Sequence, residues 1–390
     1  MQSLGKMLRD CRGMVLMSCL TILAVMLAVG LGTRVMVKND YQALANLRVG
    51  TEVFYYSAAG IEWSKNEVAR TTTFPPNPAN QTKIFAGGSF TVSFSSAAVS
   101  GPLSARIVAR SLGAAGTSSQ TIQALLRKNY DLADGALALR GPAARVNLSG
   151  SGLFISGADH DPANGNILGA GKPRSAVSLP DSALYGLVTG AFGSPPQIGL
   201  IDPASSNPPI ALSDYLSGSA IAQLANDLCA AAGATVHALN GAATLVFDNQ
   251  SWGTAGAPAI HCIEGNAGAG DSVSFTGASA GAGILIVKNA DLVLDGAFRW
   301  EGLVIVLGQE VGLKALGSSN KDVLGAVVVN ETGAPGSGTA IFDVQGNLRL
   351  LFSRQALNRA ALLVPSASLN SLYPMLPAYV SQDYWRSVNP

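Results

Sequence analysis

The chain has 390 residues, of which 48% are hydrophobic and 13% charged, with 44 glycines and a formal net charge of +1. This length predicts more than one structural unit, and the low charge with frequent glycine is typical of an exported protein rich in strands and turns. A near-neutral chain without basic stretches interleaved with aromatic residues lacks the electrostatic footprint of nucleic-acid binding, which excludes that class.

An uncharged apolar run at residues 14–32 follows a short segment that contains Lys6, Arg9 and Arg12. At 1.5 Å per residue, a helix over this run is about 28 Å long, enough to span the hydrocarbon core of a bilayer. Because positive residues tend to stay on the cytoplasmic side, we expect a single span with the N-terminus inside and the remainder exported. The alternative is a removable signal peptide cut at Ala28-Val29-Gly30.

The helical pattern continues well beyond this apolar run. Pro75 is the first proline, and apolar positions follow one another at steps of three and four, as on one face of a helix. The pattern predicts a continuous helix over residues 14–64, about 75 Å long, which needs packing partners along its length. Its predicted apolar stripe consists of Tyr41, Leu44, Leu47, Thr51, Phe54, Ala58 and Ile61.

Two segments of this helix carry a family resemblance. Arg12-Gly13-Met14 resembles a prepilin processing site, and Val53–Glu62 (VFYYSAAGIE) is similar to the stretch that closes the long helix of PilX-like minor pilins of type IV pili. Ala58 stands where that family has a glutamate. The resemblance implies that prepilin peptidase cuts between Gly13 and Met14 and that the new N-terminus is methylated. It also implies an inner-membrane anchor that later packs against other pilins and minor pilins.

Ser18 is the fifth residue after that cleavage point. Major pilins have a glutamate at this position, so the resemblance implies a minor subunit, placed near the filament tip. A carboxylate within hydrocarbon costs a few kcal/mol unless it is paired, and its absence therefore changes which neighbour a subunit accepts. The alternative is that Ser18 is simply a small residue tolerated in a transmembrane helix.

The exported part begins with a proline-rich linker around residues 71–82. Alternating residues at 90–94 and 105–110, a Gly-rich turn and the run 120–126 predict a small β-meander. Residues 129–209 are rich in Gly, Ala, Ser and Pro, which predicts irregular or weakly stranded structure, and Ser213 caps a predicted helix over residues 213–232.

Short apolar runs separated by Gly, Asn or Asp follow from residue 236. They are apolar throughout, which predicts strands covered on both faces in a β-solenoid or a sandwich. Residues 281–308 also resemble a segment of the C-terminal domains of large PilX-like proteins. The predicted fold class is α+β, divided into a leader (1–13), the pilin helix (14–64), a linker (65–85), a small β unit (86–128), a Gly/Ala/Pro-rich region (129–235), a β-rich domain (236–355) and a C-terminal tail (356–390).

Cys229 and Cys262 lie far downstream in the exported part. In an oxidising compartment they are candidates for one disulfide, which stabilises by about 3–4 kcal/mol on the loop-entropy estimate. The alternative is two buried free thiols. A metal site there is disfavoured, because His261 is the only soft ligand next to Cys262 in the sequence.

The search for chemistry yields no catalytic residue and no cofactor. Gly277–Gly281 (GASAG) matches the G-x-S-x-G pattern, but a strand-like run follows where a nucleophile elbow needs a helix, so we interpret it as a turn. Oxygen ligands cluster at Asp159, Asp161 and Asn164, a weak calcium candidate that is equally typical of an Asx-rich turn.

We therefore predict a non-enzymatic minor pilin that displays a β-rich domain for pilus assembly, adhesion or aggregation. Its expected partners are other pilins, prepilin peptidase, the inner membrane and a surface receptor, with no nucleic acid. It is expected in the inner membrane before assembly and on the pilus afterwards. The alternatives are a minor pseudopilin of type II secretion, a membrane-anchored or secreted surface β protein, and a hydrolase that uses acidic residues such as Asp291 and Asp295.

Overall fold

The computed structural model describes residues 2–70, 80–96, 103–141, 145–150, 152–169, 172–192, 200–206, 208–213, 215–266, 270–333 and 340–388. A long N-terminal helix packs on an antiparallel sheet, and a larger parallel β-solenoid is connected to that sheet. The α+β fold class, with a long apolar helix before a β-rich part, is confirmed.

The helix–sheet module consists of α1 and a sheet in the order β1-β2-β3-β4-β22, in which neighbouring strands are antiparallel. We expected residues 356–390 to be a C-terminal tail. They are not, because their last strand forms an edge of this sheet. No local signal shows that pairing, since the partner strand lies far away in the sequence. The bounds are α1 Gln2–Arg70, β1 Asn80–Phe85, β2 Gly88–Ser96, β3 Ser104–Ala115, β4 Ser118–Tyr130 and β22 Ala378–Val388.

Small residues let the C-terminal part of α1 approach the sheet closely. Ser57 and Gly60 face the sheet, and Ser57 is fully buried. A Cβ atom built on Gly113 of β3 would lie 2.5 Å from the carbonyl oxygen of Val53 and 2.6 Å from the Ser57 nitrogen. A Cβ atom on Gly60 would lie 2.0 Å from Ser111 Oγ. Helix and sheet therefore touch through their backbones at this point, and glycine is required there.

The solenoid consists of a wide parallel sheet and a narrow parallel sheet. The wide sheet follows the order β10-β13-β15-β17-β19-β5-β8-β9, with β7, β12 and β21 attached, and the narrow one follows β11-β14-β16-β18-β20-β6. Its strands are β5 Gly135–Arg140, β6 Arg145–Leu148, β7 Gly152–Ser156, β8 Ser175–Leu179, β9 Ile210–Leu212, β10 Ala234–Ala238, β11 Thr244–Asp248, β12 Ser251–Trp252, β13 Ala259–Glu264, β14 Ser272–Thr276, β15 Ala278–Lys288, β16 Asp291–Leu294, β17 Ala297–Gly308, β18 Leu313–Ala315, β19 Lys321–Glu331, β20 Ala340–Val344 and β21 Asn347–Phe352.

Helices cover the outer face of the wide sheet, which explains its uninterrupted apolar strands. One face of β15, β17 and β19 points into the core between the sheets, while α3 and α4 pack on the other. Parallel strands buried on both faces read as continuous apolar runs, as the sequence predicted. The solenoid helices are α2 Ser182–Phe192, α3 Gly218–Cys229, α4 Arg354–Ala361 and α5 Ser366–Leu372.

Glycines stack from coil to coil in the wide sheet. Gly283 pairs with Gly302, and Gly302 pairs with Gly325. Their φ angles are 120°, 141° and 146°, in the region that favours glycine. A Cβ atom on Gly302 would lie 2.0 Å from the carbonyl oxygen of Gly283, and one on Gly325 would lie 1.9 Å from that of Gly302. The ladder leaves no space for side chains.

Residues 129–209, which we expected to be irregular or weakly stranded, contain four short strands of four to six residues each. This region contributes β5 to β8 to the solenoid, and every residue of β5 is buried between β19 and β8. It also contains α2, whereas α3 occupies part of the predicted helix over residues 213–232. The strands are short and contain small residues, so their burial depends on partners that come much later in the chain.

The solenoid is an insertion between the last two strands of the module. The chain leaves β4 at Tyr130 and returns at Ala378, and these two residues pair directly in the sheet. The Asp131 nitrogen donates to the carbonyl oxygen of Pro377, which extends the pairing beyond both strands. Both connections to the solenoid therefore leave the module at one point.

Candidate assembly surface

From Met14 onward, the first half of α1 is an apolar cylinder that the described part of the chain does not cover. Within the described ranges, the helix from Met14 to Arg70 is long and apolar enough to cross a membrane, with none of its apolar window buried. Leu20, Leu23 and Leu27 are each exposed by about three fifths. One N-terminal helix of this kind is compatible with a single-pass membrane anchor.

The structure places the predicted processing residues within this uninterrupted helix. The α1 backbone continues through Gly13 and Met14, so the predicted cleavage point lies inside the helix. Ser18 is exposed, and its hydroxyl donates to the carbonyl oxygen of Met14 at 2.8 Å. Because this bond lies within the helix, the serine needs no polar partner from a neighbour.

The predicted apolar stripe divides into a covered part and a free part. Ile61 is 4% exposed and belongs to the core between helix and sheet, with Phe54 and Ala58 packed at its margin. Tyr41, Leu44 and Leu47 are exposed, each by three fifths or more. The stripe therefore packs on the chain's own sheet at one end and lacks a partner at the other.

An apolar groove lies between the covered part of α1 and the edge of the sheet. It has a volume of about 110 Å³, and its lining includes Phe54 and Ala58 of the helix, Ile122 of β4 and Trp385 of β22. Trp385 is 52% exposed, and its ring centroid lies 6.1 Å from that of Phe54. The groove extends the apolar surface of the helix onto the sheet edge.

A buried ion-pair network joins the module to the solenoid. Asp131, directly after β4, accepts from Arg354 Nε at 2.9 Å and from Arg174 Nε at 2.6 Å. Asp159 accepts from the Arg354 backbone nitrogen at 2.9 Å. Removing one partner of such a pair leaves an uncompensated buried charge. The network therefore fixes the junction, and sequence reasoning missed Asp131, Arg174 and Arg354 because their partners are remote in the chain.

The calcium candidates lie beside this network, but their oxygen atoms are used within the chain. The Asp159 carboxylate is held by Arg354, while Asp161 Oδ1 accepts from the Ala163 nitrogen at 2.9 Å. Asn164 Oδ1 accepts from the Asn166 nitrogen at 2.8 Å. These are the bonds of Asx turns. Within the described residues, no three His, Cys, Asp or Glu side chains are grouped to hold a metal ion.

Cys229 and Cys262 come together in the structure as a disulfide with a Cα–Cα distance of 5.7 Å. Cys229 ends α3, and Cys262 lies in β13, whose outer neighbour is β10. The bridge therefore fastens the segment that leads from α3 into β10.

Aromatic rings fill the core beside this disulfide. The Trp252 ring stacks on His261 at 4.4 Å and on His237 at 5.1 Å, and Phe247 and Phe275 meet it edge-on. Burial, with a smaller contribution from His237, lowers the pKa of His261 to about 4. Trp252 and Trp300 are core residues, whereas Trp63 and Trp385 belong to the helix–sheet module.

The remaining motif residues have structural partners. Ser279 is 3% exposed, and its hydroxyl accepts from the Gln250 nitrogen at 3.1 Å and donates to the Thr276 carbonyl oxygen at 3.2 Å. The G-x-S-x-G segment thus runs from a turn into strand β15. Asp291 accepts from the Gly312 nitrogen and from Lys314 Nζ, on the neighbouring strand β18.

Comparisons with known proteins add only weak structural similarity. No protein-family profile matches the chain, and no curated protein matches it. Among solved structures, it is similar to the crystal structure of the competence-associated pilin ComZ from Thermus thermophilus, at 13% identity and a TM-score of 0.27. The similarity covers 88% of this chain and 98% of that chain. A TM-score this low supports no inference about function. The interpretation therefore rests on the helix, sheet and solenoid described above.

Proposed function

We propose that this chain is a non-enzymatic minor pilin of a type IV pilus. The observation that supports it is a single helix whose free half is an exposed apolar cylinder and whose other half is packed on an antiparallel sheet. Such a helix serves first as a membrane anchor and then as the part that joins a bundle of like helices. Buried apolar surface along Met14–Leu47 supplies the binding energy in both places.

Proteolytic processing is compatible with this helix at one peptide bond. Cleavage between Gly13 and Met14 removes the basic leader and retains the whole apolar run, so the anchor survives maturation. With Ser18 in place of an acidic residue, the subunit brings no carboxylate into the hydrocarbon and needs no amine from a neighbour. This favours a minor subunit near the filament tip, where a neighbour is missing on one side.

The solenoid is the part that the filament displays. It is connected to the module at a single point, between Tyr130 and Ala378, and the ion pairs around Asp131 fix that connection. A large insertion held in this way projects from the module without interrupting the helix. Adhesion, aggregation or pilus assembly requires only a binding face, so no catalytic step is assigned.

The mature N-terminus tests this proposal. Mass spectrometry of protein from cells that contain a pilus machinery should show a chain that begins at methylated Met14. A Gly13→Val variant should keep its leader, whereas a matched Gly30→Val variant should be processed normally. A chain that begins at Leu31, or processing lost only in Gly30→Val, would replace the pilin interpretation with that of a secreted surface protein.

A further inference from the structure

The two ends of the solenoid are built differently. At one end, α2 packs on β6, β8 and β9. Its residues Leu184, Val188 and Phe192 are fully buried, so this helix closes the core. At the other end, β10 and β11 are the outermost strands of the wide and the narrow sheet. Among the described residues, β10 pairs only with β13 and β11 only with β14, while α3 packs against β10. Terminal repeats of solenoids normally carry a polar cap, which this end lacks.

The open edge is competent to pair with another strand. The Leu239 nitrogen donates inward to the Glu264 carbonyl oxygen, and the Asn249 nitrogen donates inward to Thr276. Because the amide groups of a strand alternate in direction, the N–H groups of Val236 in β10 and Val246 in β11 point outward. Both valines are about half exposed, at 51% and 56%. The end therefore offers unpaired backbone donors beside apolar side chains.

The usual protections of an edge strand are missing from β10 and reduced to one charged residue in β11. In the module, edge strand β22 has a bulge between Gln382 and Tyr384 and contains the charged residue Asp383, while β1 carries Lys83. By contrast, β10 (ATVHA) contains no Lys, Arg, Asp, Glu or Pro, and β11 (TLVFD) carries one carboxylate. Edges of this length and composition favour pairing with another chain.

The open end is also held in place by a disulfide and by aromatic packing. The disulfide between Cys229 and Cys262 holds the segment before β10 against β13. Inside the same coil, the rings of His237 and Trp252 stack 5.1 Å apart. Terminal coils are the parts of a solenoid that open most easily, and here a covalent bond and aromatic packing oppose opening. The outer edge is thereby held in an extended form.

We propose that this end binds a second copy of the chain, end to end across a twofold axis. With that axis perpendicular to the solenoid, β10 pairs antiparallel with β10 of the other copy and β11 with its β11. One contact thus continues both sheets at once. A second copy offers both sheet edges together, and the near-absence of charge on the two strands keeps like charges from meeting across the axis. The pairing joins two displayed solenoids and leaves both N-terminal helices free.

The oligomeric state of the full chain in detergent, measured by light scattering with correction for bound detergent, tests this pairing. Wild type should be a dimer at micromolar concentration. A Val236→Pro/Val246→Pro variant loses only outward N–H groups and should dissociate about tenfold more readily. The matched Val236→Thr/Val246→Thr variant keeps those groups and should remain dimeric. A monomeric wild type, or a dimer that persists in the proline variant, overturns the proposal.

A lysine variant covers the case in which proline unfolds the terminal coil. Val236→Lys/Val246→Lys changes two exposed side chains and places like charges across the twofold axis. It should be monomeric at about 0.01 M salt and dimeric again at about 1 M salt, where screening acts over about 3 Å. A dimer that is unaffected by these charges at low salt would be held by another surface, the apolar helix included, and would refute the pairing.

Discussion

The helix–sheet module and the solenoid bury their backbones in opposite ways. In the module, an antiparallel sheet is covered by one helix, and close approach depends on single glycines such as Gly113. In the solenoid, parallel coils repeat, and glycines such as Gly283, Gly302 and Gly325 stack on one another. A change in the module therefore acts at one contact, whereas a change in the ladder acts on neighbouring coils. The two regions should fail separately, and this can be tested.

The largest expected effect is at the centre of the glycine ladder. In Gly302→Val, the side chain meets the Gly283 carbonyl and the backbone keeps a φ of 141°. We expect a loss of about 3–5 kcal/mol from strain and overpacking. Urea unfolding gives the size, and hydrogen exchange with mass spectrometry should show lost protection across β15, β17 and β19. Gly169→Val, where a Cβ meets nothing within 4 Å, is the matched control.

The disulfide should come next. Its cysteines are 33 residues apart, and the loop-entropy estimate for that length is about 3–4 kcal/mol. In Cys229→Ala/Cys262→Ala, the unfolding free energy should fall by about this amount, with exchange increasing first in β10 and β11. Equal stability of the variant and the oxidised wild type would show that the bridge does not support this end.

In the module, Gly113→Val should separate helix from sheet. The added side chain meets the backbone of Val53 and Ser57, and we expect a loss of about 2–3 kcal/mol. Exchange should increase in α1 beyond residue 50 and in β3, while the solenoid keeps its protection. Gly50→Ala in the exposed helix is the control and should stabilise by about 0.5–1 kcal/mol. Simultaneous loss of both regions would contradict their independence.

Acid should weaken the solenoid through His261, and this is the smallest effect. His261 has a folded-state pKa of about 4 against an ordinary value of 6.5. The unfolded chain therefore binds a proton below pH 6.5 that the folded chain does not take up until about pH 4. Stability is lost between these values, by about 2 kcal/mol at pH 5. Thermal unfolding followed from pH 7 to pH 4 measures the loss. His261→Phe, which cannot take up the proton, should flatten the dependence.

The sequence predicted the features that local patterns determine. The spacing of apolar residues at steps of three and four predicted α1, although the helix ends at Arg70 rather than at residue 64. Uninterrupted apolar runs such as residues 303–307 predicted strands covered on both faces, in a β-solenoid or a sandwich. Even the stripe on α1 was correct where Ile61 meets the sheet, because a helix face is defined within a few residues of sequence.

Local sequence patterns could not predict pairing between strands that are far apart in the chain. Residues 135–140 (GALALR) lie within the wide sheet only because β19, almost two hundred residues later, pairs with them. In the same way, Ala378–Val388 became a sheet edge through pairing with β4. The candidate cation ligands were also misjudged because their partners are remote in the chain. Asp159 looked like a cation ligand in its own loop, yet its partner is Arg354 in the helix after β21.

The insertion of the solenoid also sets an order of events for the nascent chain. Gln120 of β4 donates to Ser387 of β22 across 267 residues. Contacts this distant form slowly, because a long loop must close before they stabilise anything. During synthesis, β4 therefore stays an unpaired edge until the last residues of the chain have been made. A chain truncated before Ala378 lacks β22 and leaves β4 as an unpaired edge. The sheet is therefore complete only after the whole solenoid has been synthesised.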